Sequence, residues 1–127
     1  MPYTVNFLEN KEIVLVKNEG ELGFADYEKQ TREALDLAKT RDYHLFVSDC
    51  RLLINKASVA ELFHFPEMFA RLNPLRNNKL AVLVEKDAPD IEDYHFVEDV
   101  LINRGRIARI FDDYNQALTW LSPVENR

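Results

Sequence analysis

Two continuous apolar runs constrain the fold of this chain more than any other feature of its sequence. They are Leu45-Phe46-Val47 and Leu80-Ala81-Val82-Leu83-Val84. Strands with one face in solvent alternate apolar and polar residues, whereas continuous apolar runs indicate strands covered on both faces, as in parallel sheets between layers of helices. We therefore predict that these runs form the central strands of such a sheet.

The first run leads to Asp49, which we predict to be the last residue of its strand. A short loop follows, and Ser58-Val59-Ala60-Glu61 then gives the signal for the start of a helix. Open α/β folds usually place their functional surface where the carboxyl end of a strand feeds the N-terminus of a helix. The segment from Asp49 to Ser58 is therefore the first candidate for a functional surface.

The N-terminal part of the chain predicts a β-hairpin. Residues 3–8 alternate in polarity and residues 12–17 form a second β-rich run, with Glu9-Asn10-Lys11 as the turn between them. The segment Asn18-Glu19-Gly20-Glu21 breaks the strand pattern. We therefore expect the second strand to end before Asn18.

Apolar periodicity and end signals predict four helices and one further strand. These are a helix from Tyr27 to near Arg41, a helix from Ser58, a helix opened by residues 87–90 and ended by Gly105, a strand over residues 106–111, and a helix from Asp113 closed by Pro123. The resulting order is β-β-α-β-α-β-α-β-α, with right-handed crossovers between the later strands. We predict a single α/β domain over residues 1–127, with a mixed sheet of four to five strands flanked by four helices.

Charge and composition narrow the class of protein. The chain has 127 residues and a net charge of -6, so its overall field repels nucleic acid and anionic membrane surfaces. Its single cysteine, Cys50, excludes an intramolecular disulfide and suits a reducing compartment, so we predict a cytoplasmic protein. No apolar run approaches the roughly 18 residues that span a bilayer, and the first residues lack the pattern of a secretion signal.

Four segments carry a resemblance to a known family. They are Gly20-Glu21-Leu22, Phe46-Val47-Ser48-Asp49, Lys79-Leu80-Ala81-Val82-Leu83-Val84, and the tail from Arg104-Gly105 through Ile110-Phe111 to Trp120-Leu121. In these segments the chain resembles the SpoIIAA-like proteins, which share the fold of anti-sigma-factor antagonist (STAS) domains and are related to lipid-transfer domains of the CRAL-TRIO type. The resemblance implies a STAS-like sheet and a non-catalytic regulatory role.

The same resemblance suggests a phosphorylation switch. In STAS domains that act as such switches, a central strand ends in Asp and a serine at the start of the next helix is phosphorylated. Asp49 and Ser58 match those two places, although Ala57, Val59 and Ala60 depart from the Asp-Ser-Ser-Gly-like turn of the family. Ser58 also has a structural role available, because Ser58 and Glu61 have the spacing of a capping box.

No catalytic or metal-binding pattern stands out. Asp49 and Cys50 lie where an active site is possible, but neither has a partner at a recognisable spacing. The histidines His44, His64 and His95 fall on three different elements without metal-ligand spacing. We therefore predict no enzyme, no cofactor and no metal, and an enzyme that uses Asp49, Cys50 or His44 is the third-ranked alternative.

The helix after Ser58 is unusually rich in large apolar side chains. They include Leu62, Phe63, Phe65, Met68 and Phe69. A short helix with apolar residues on more than one side is buried within its domain, covers a homodimer surface or lines a site for a small apolar ligand. Since Pro66 cannot donate a backbone hydrogen bond, we expect the helix to break or kink near it.

Four basic residues near the last strand form a candidate anion-binding patch, namely Lys79, Arg104, Arg106 and Arg109. Charged residues on edge strands also prevent unwanted strand pairing, and that alternative stays open.

These observations predict a non-catalytic, cytoplasmic regulatory or protein-interaction module. It would act through the 49–58 loop and the apolar helix after it, with a protein partner and as a homodimer. A carrier or sensor of a small apolar or lipid-like ligand is the alternative function.

Overall fold

The computed structural model describes residues 2–73 and 77–122. In these residues five strands form one mixed sheet in the order β1-β2-β3-β4-β5. The strands are β1 (Tyr3–Leu8), β2 (Ile13–Leu22), β3 (Leu45–Asn55), β4 (Lys79–Leu83) and β5 (Ile107–Phe111). The helices are α1 (Phe24–Lys39), α2 (Val59–Phe63), α3 (Phe65–Leu72), α4 (Ile91–Asn103) and α5 (Tyr114–Leu121). The predicted α/β class and element order are confirmed.

The predicted N-terminal hairpin is present, with β1 antiparallel to β2. Its turn contains Asn10 at φ 63°, a left-handed conformation that asparagine tolerates better than most residues. The expected end of β2 before Asn18 is wrong, because the strand continues to Leu22. Asn18 and Leu22 are both buried. The alternation of buried and exposed residues therefore continues through a segment whose composition is polar.

Strand β3 is also longer than predicted. Asp49 is not its last residue, since β3 continues to Asn55 and residues 49–55 do not form a loop. Main-chain pairing with β2 supports this extension, with Leu52 opposite Glu19 and Ile54 opposite Glu21. A register shift between these pairs and the pair formed by Asp49 places an extra β3 residue in the ladder, as in a β-bulge.

The second helix breaks at His64, two residues before Pro66, and so divides into α2 and α3. Pro66 lies in the first turn of α3, where its missing N–H has no intrahelical partner to lose. The described residues 2–73 and 77–122 therefore contain five helices where the sequence predicted four. Gly105 follows α4 at φ 81°, the left-handed conformation expected just after a helix end. The predicted closure of α5 by Pro123 lies outside the described residues.

The two faces of the sheet carry different layers. One face packs against α5 in a core formed by Ile13, Val47, Ala81, Ala117 and Leu121. We call this the closed face. The opposite face lies under α1, α3 and α4, where Val14 and Phe46 pack against Ala34 and Ala38 of α1. Because neighbouring residues of a strand point to opposite faces, every buried strand contributes to both layers.

Candidate functional site

A cavity of about 170 Å³ lies between the sheet and the helices of the second face. Strands β2 to β5 form its floor, and α1 to α4 contribute its walls and roof. Most of its lining is apolar, including Val16, Phe46, Leu80, Val82 and Ile110 from the strands. We call this second face the cavity face.

The apolar residues singled out in the sequence divide between three environments. Leu62, Phe65 and Phe69 line the cavity. Met68 does not, because it is buried in a separate cluster with Tyr3, Leu22 and Tyr27. Phe63 lies on the outer surface. The expectation of one surface formed by all five residues is therefore corrected, since Leu62, Phe65 and Phe69 have the spacing of one helix face, which places Phe63 and Met68 on either side of it.

One end of the cavity carries a polar cluster centred on Asn18. This residue is almost fully buried, and its amide nitrogen donates to the backbone carbonyl of Asp49 at 3.2 Å. Its side-chain oxygen accepts a hydrogen bond from Gln30 at 2.8 Å. Weaker contacts of 3.5 Å and 3.7 Å join the Asn18 nitrogen to Ser48 Oγ and Cys50 Sγ. Asn18 thus joins helix α1 to strand β3 at the polar end of the cavity.

Cys50 extends this cluster toward α4. Its sulfur lies 3.4 Å from Ser48 Oγ, and it hydrogen-bonds to the side chain of Tyr94. Burial of the thiol and the nearby charges of Asp49 and Asp90 raise the pKa of Cys50 to about 11, against the hydrogen bonds that lower it. The thiol is therefore protonated at neutral pH, which makes it a poor nucleophile.

The tyrosines beside Cys50 are protonated as well. Burial is the main cause that raises the pKa of Tyr94 and of Tyr27, and the charge of Asp90 raises both further. The Tyr27 hydroxyl donates to Asn55 at 2.6 Å. The polar end of the cavity therefore presents neutral groups, with the carboxylate of Asp90 also in its lining.

The sequence analysis did not identify Asn18, Gln30 or Tyr94 as site residues. Each of them follows the periodicity of its element. Asn18 continues the alternation that buries Val16, while Gln30 lies four residues before Ala34 and Tyr94 three residues before Val97. The signal that could have identified these three residues is a polar residue at a position where the periodicity of its helix or strand predicts burial.

Asp49 lies on the opposite face from Cys50. It is 6% exposed and forms two side-chain hydrogen bonds with Arg51, at 3.0 Å and 2.9 Å, and a third with the Arg51 backbone N–H. Burial alone would raise the pKa of Asp49, but these hydrogen bonds and the charge of Arg51 outweigh it, so the pKa is lowered. Asp49 and Cys50 consequently do not form the joint site that an enzyme based on them requires.

Ser58 lies far from Asp49. Asn55 lies six residues after Asp49 along extended strand, which is a distance of roughly 20 Å at the rise of a β-strand. Ser58 Oγ accepts from the Glu61 N–H at 3.1 Å, and the Glu61 carboxylate accepts from the Ser58 N–H at 2.8 Å. The predicted capping box is therefore present, and the pairing of Asp49 with Ser58 in one switch loop is not.

The four candidate anion-binding residues do not form one patch. Lys79 lies on the closed face, where it donates to the Trp120 carbonyl and stacks on its ring. Arg106 is buried on the cavity face over the Phe69 ring. Arg109 lies beside Phe111, and Arg104 is the residue that caps the C-terminus of α4. Alternation of neighbouring residues across the sheet separates these charges.

The three histidines are also apart. His44 bonds to Asn78 and Asp42, while His64 pairs with Glu67 and His95 with Glu98. Among residues 2–73 and 77–122, no three histidine, cysteine or acidic side chains are placed to hold a metal ion. None of the helices in those residues has the length and apolar character needed to cross a membrane.

An exposed apolar surface lies outside the cavity on α2 and α4. Val59 and Phe63 are 63% and 58% exposed, and the Phe63 ring packs edge-to-face on Phe96 with 4.9 Å between centroids. We call Val59, Phe63 and Phe96 the α2–α4 patch. Val59 and Phe63 are four residues apart and therefore share one side of α2.

The fold of the described residues is the SpoIIAA-like α/β fold. Among solved structures, the chain is similar to an uncharacterised protein of the DUF3478 family with a SpoIIAA-like fold from Shewanella loihica PV-4. The TM-score is 0.59 and the identity 14%, over 94% of this chain and 91% of that chain. The fold implied by the sequence resemblance is thus confirmed.

Two structures of SpoIIAA itself are more distant matches, each with a TM-score of 0.49. One is the anti-sigma factor antagonist SpoIIAA in its unphosphorylated form, 12% identical over 90% of this chain and 91% of that chain. The other is the Bacillus cell fate determinant SpoIIAA in the phosphorylated form, 13% identical over 91% and 96%. No protein-family model and no curated protein sequence matches the chain.

Proposed function

We propose that this protein is a non-catalytic protein-interaction module of the STAS-like type that docks its partner on the α2–α4 patch. The observation that carries the proposal is the exposure of Val59 and Phe63 beside Phe96. Contiguous exposed apolar side chains with a polar rim are typical of interaction surfaces. The SpoIIAA-like fold accommodates such a role but does not specify it, so the argument depends on the surface.

The charges around the patch indicate the chemistry of the partner. Neither α2 nor α4 contains a lysine or arginine. On α4 the exposed residues Glu92 and Asp99 lie four residues before and three residues after Phe96, so they lie on its side of the helix. An acidic rim around an apolar centre complements a protein segment that carries apolar side chains among lysines and arginines.

The same acidic rim argues against a second copy of this chain as the partner that binds the α2–α4 patch. A twofold interface brings the same patch of both subunits together, so the acidic rims of two copies would face each other. The homodimer that the sequence predicted would therefore use another surface, such as a sheet edge. A dimer in sedimentation experiments that disappears in Phe63→Ser would reverse this choice of partner.

We propose a cytoplasmic location from the cysteine content of the sequence. A lone cysteine whose thiol stays protonated needs no oxidising environment, and we place the module in the cytoplasm on that basis. Phosphorylation of Ser58 also stays a proposal. Ser58 is exposed, but the capping carboxylate of Glu61 would lie next to the added phosphate.

The docking proposal is tested with two model peptides, one an amphipathic helix of leucine and lysine and the other its leucine and glutamate counterpart. We expect the protein to bind the lysine peptide and not the glutamate peptide in fluorescence anisotropy, and added salt to weaken the binding. Phe63→Ser should reduce the affinity at least tenfold, since a central aromatic residue often dominates an interface.

A matched control distinguishes the patch from general attraction to an acidic protein. Leu52 is 59% exposed, as Phe63 nearly is, but it lies on β3 away from α2 and α4. Leu52→Ser should leave peptide binding unchanged. If Phe63→Ser and Leu52→Ser bind the lysine peptide as the original protein does, the α2–α4 patch is not the docking surface.

A further inference from the structure

We infer that the cavity is a binding site for a small uncharged molecule with one ring, or a branched chain of similar volume, and a hydroxyl or amide group that contacts Ser48. This site goes beyond the proposed docking function and involves different side chains. Leu62 and Tyr94 line it from α2 and α4, whereas Phe63 and Phe96 lie outside it.

The size of the cavity sets the size of the ligand. Its volume of about 170 Å³ is close to that of an engineered apolar cavity of about 150 Å³ in another protein, which stays dry and binds benzene. Water in such a space lacks hydrogen-bond partners over most of the lining. A ligand with an apolar body of one ring therefore fits both the volume and the lining.

The polar end sets the nature of the ligand's head group. Ser48 Oγ lies 3.4 Å from Cys50 Sγ, an ordinary hydrogen-bond distance for sulfur, and 3.5 Å from the Asn18 nitrogen, which is a long contact. Asn18, in contrast, is engaged by Gln30 and by the Asp49 carbonyl at shorter distances. A hydroxyl has one donor and two acceptor positions, so Ser48 can form a further hydrogen bond with a ligand. Ser48 is therefore the residue that we assign to contact the head group.

The charges at the polar end of the cavity determine which ligand head groups can bind there. Cys50 and Tyr94 are protonated, and the carboxylate of Asp90 lies in the same part of the lining. An anionic head group at this end would lie near the Asp90 carboxylate without a cation to offset it. The opposite end of the cavity contains Arg106, which lies over the Phe69 ring.

Three single-ring compounds serve as probes, namely p-cresol, toluene and benzoate. We expect p-cresol to bind in titrations followed by protein NMR, with the largest shifts at cavity residues such as Ala34, Val82 and Ala108. Toluene should bind more weakly because it lacks the hydroxyl, and benzoate at least tenfold more weakly than p-cresol. No shifts with any of the three compounds, or benzoate as the tightest ligand, would overturn the inference.

Two variants test whether the compounds bind in the cavity and whether Ser48 contacts the p-cresol hydroxyl. Ser48→Ala removes the hydroxyl and should weaken p-cresol about fivefold while toluene binding stays the same, as expected for the loss of one hydrogen bond. Val82→Phe occupies the space of the ligand and should abolish binding of both. Thermal unfolding shows whether each variant is folded. Folded variants that bind both compounds unchanged would place the ligand elsewhere.

Because the peptide assay uses the α2–α4 patch and the NMR titration uses the cavity, each proposal can fail without the other. Loss of peptide binding in Phe63→Ser bears only on the docking surface. Loss of p-cresol binding in Val82→Phe bears only on the cavity.

Discussion

The two faces of the same sheet differ in how they are filled. On the closed face, Ile13, Val47, Ala81 and Ala117 pack against one another and are almost completely buried. On the cavity face, four helices cover four strands and still leave about 170 Å³ unfilled. Protein interiors are normally packed as densely as organic crystals, so a space of this size is unusual. The closed face therefore contributes more to stability, because the unfilled space on the cavity face removes packing contacts there.

The polar groups buried on the two faces also differ. On the closed face, the buried carboxylate of Asp49 pairs with the partly exposed Arg51 through short hydrogen bonds. The cavity face contains the neutral cluster of Asn18, Ser48 and Cys50, joined in part by contacts to the Cys50 sulfur, and the buried Arg106 at its other end. Acid should therefore affect the closed face first and alkali the cavity face. The following experiments test the comparison, in order of decreasing expected effect.

Adding volume to each face should give the largest contrast. Ala117→Leu on α5 inserts a large side chain into a filled core and should destabilise the protein by about 3 kcal/mol. Ala34→Leu on α1 extends a side chain that borders the cavity and should change the free energy of unfolding by less than about 1 kcal/mol. Urea denaturation measures both. Equal losses would show that the two faces are packed alike.

The second experiment concerns acid. Because the pKa of Asp49 is lowered below its ordinary value of 3.8, its pairing contributes stability that is fully present above that pH. This contribution is lost as the pH falls through the pKa of the folded state. Asp49→Asn should cost about 2 kcal/mol at pH 7, since charged hydrogen bonds are replaced by weaker ones.

The acid experiment has an internal comparison. In Asp49→Asn the slope of the free energy of unfolding below pH 4 should be flatter than in the original protein. A variant on the cavity face, Cys50→Ser, should keep the original slope in acid. If Asp49→Asn retains that slope, other carboxylates determine the acid sensitivity.

The smallest effect is expected in alkali. Burial raises the pKa of Cys50 from 9.0 to about 11, so the protonated thiol contributes stability below pH 9 that is lost as the pH rises through that window. Cys50→Ser carries no ionisable thiol and should remove the loss of stability between pH 9 and 10, about 1 kcal/mol. Tyr27 and Tyr94 titrate above this range. A loss that persists in Cys50→Ser would assign it to another group.

Much of the fold could be predicted from local signals. Several features depend only on residues that are close in sequence. They are the caps at Ser58 and Asp113, the helix end before Gly105 and the break before Pro66. The extension of β3 to Asn55 depends instead on main-chain pairing with β2, which has no side-chain signature. Composition alone therefore placed the strand end at Asp49, where pairing with β4 stops.

The candidate site was less predictable for the same reason. Leu62, Phe65 and Phe69 were recognised as apolar, but which apolar side chains reach the cavity depends on how α2 and α3 lie against the sheet. Asp49 and Cys50 are neighbours in sequence and lie on opposite faces of the sheet. The sequence offered each of them as a possible active-site residue without a partner, and strand alternation shows that they do not face each other.

The sequence by itself determined the kind and order of the elements, because hydrophobic periodicity and capping are local properties of the chain. The tertiary structure decided which charges meet, which aromatic side chains reach solvent and where space remains. The cavity depends on the summed volumes of side chains from four strands and four helices. Such a sum depends on strand register and helix orientation, which are fixed only when the elements pack together.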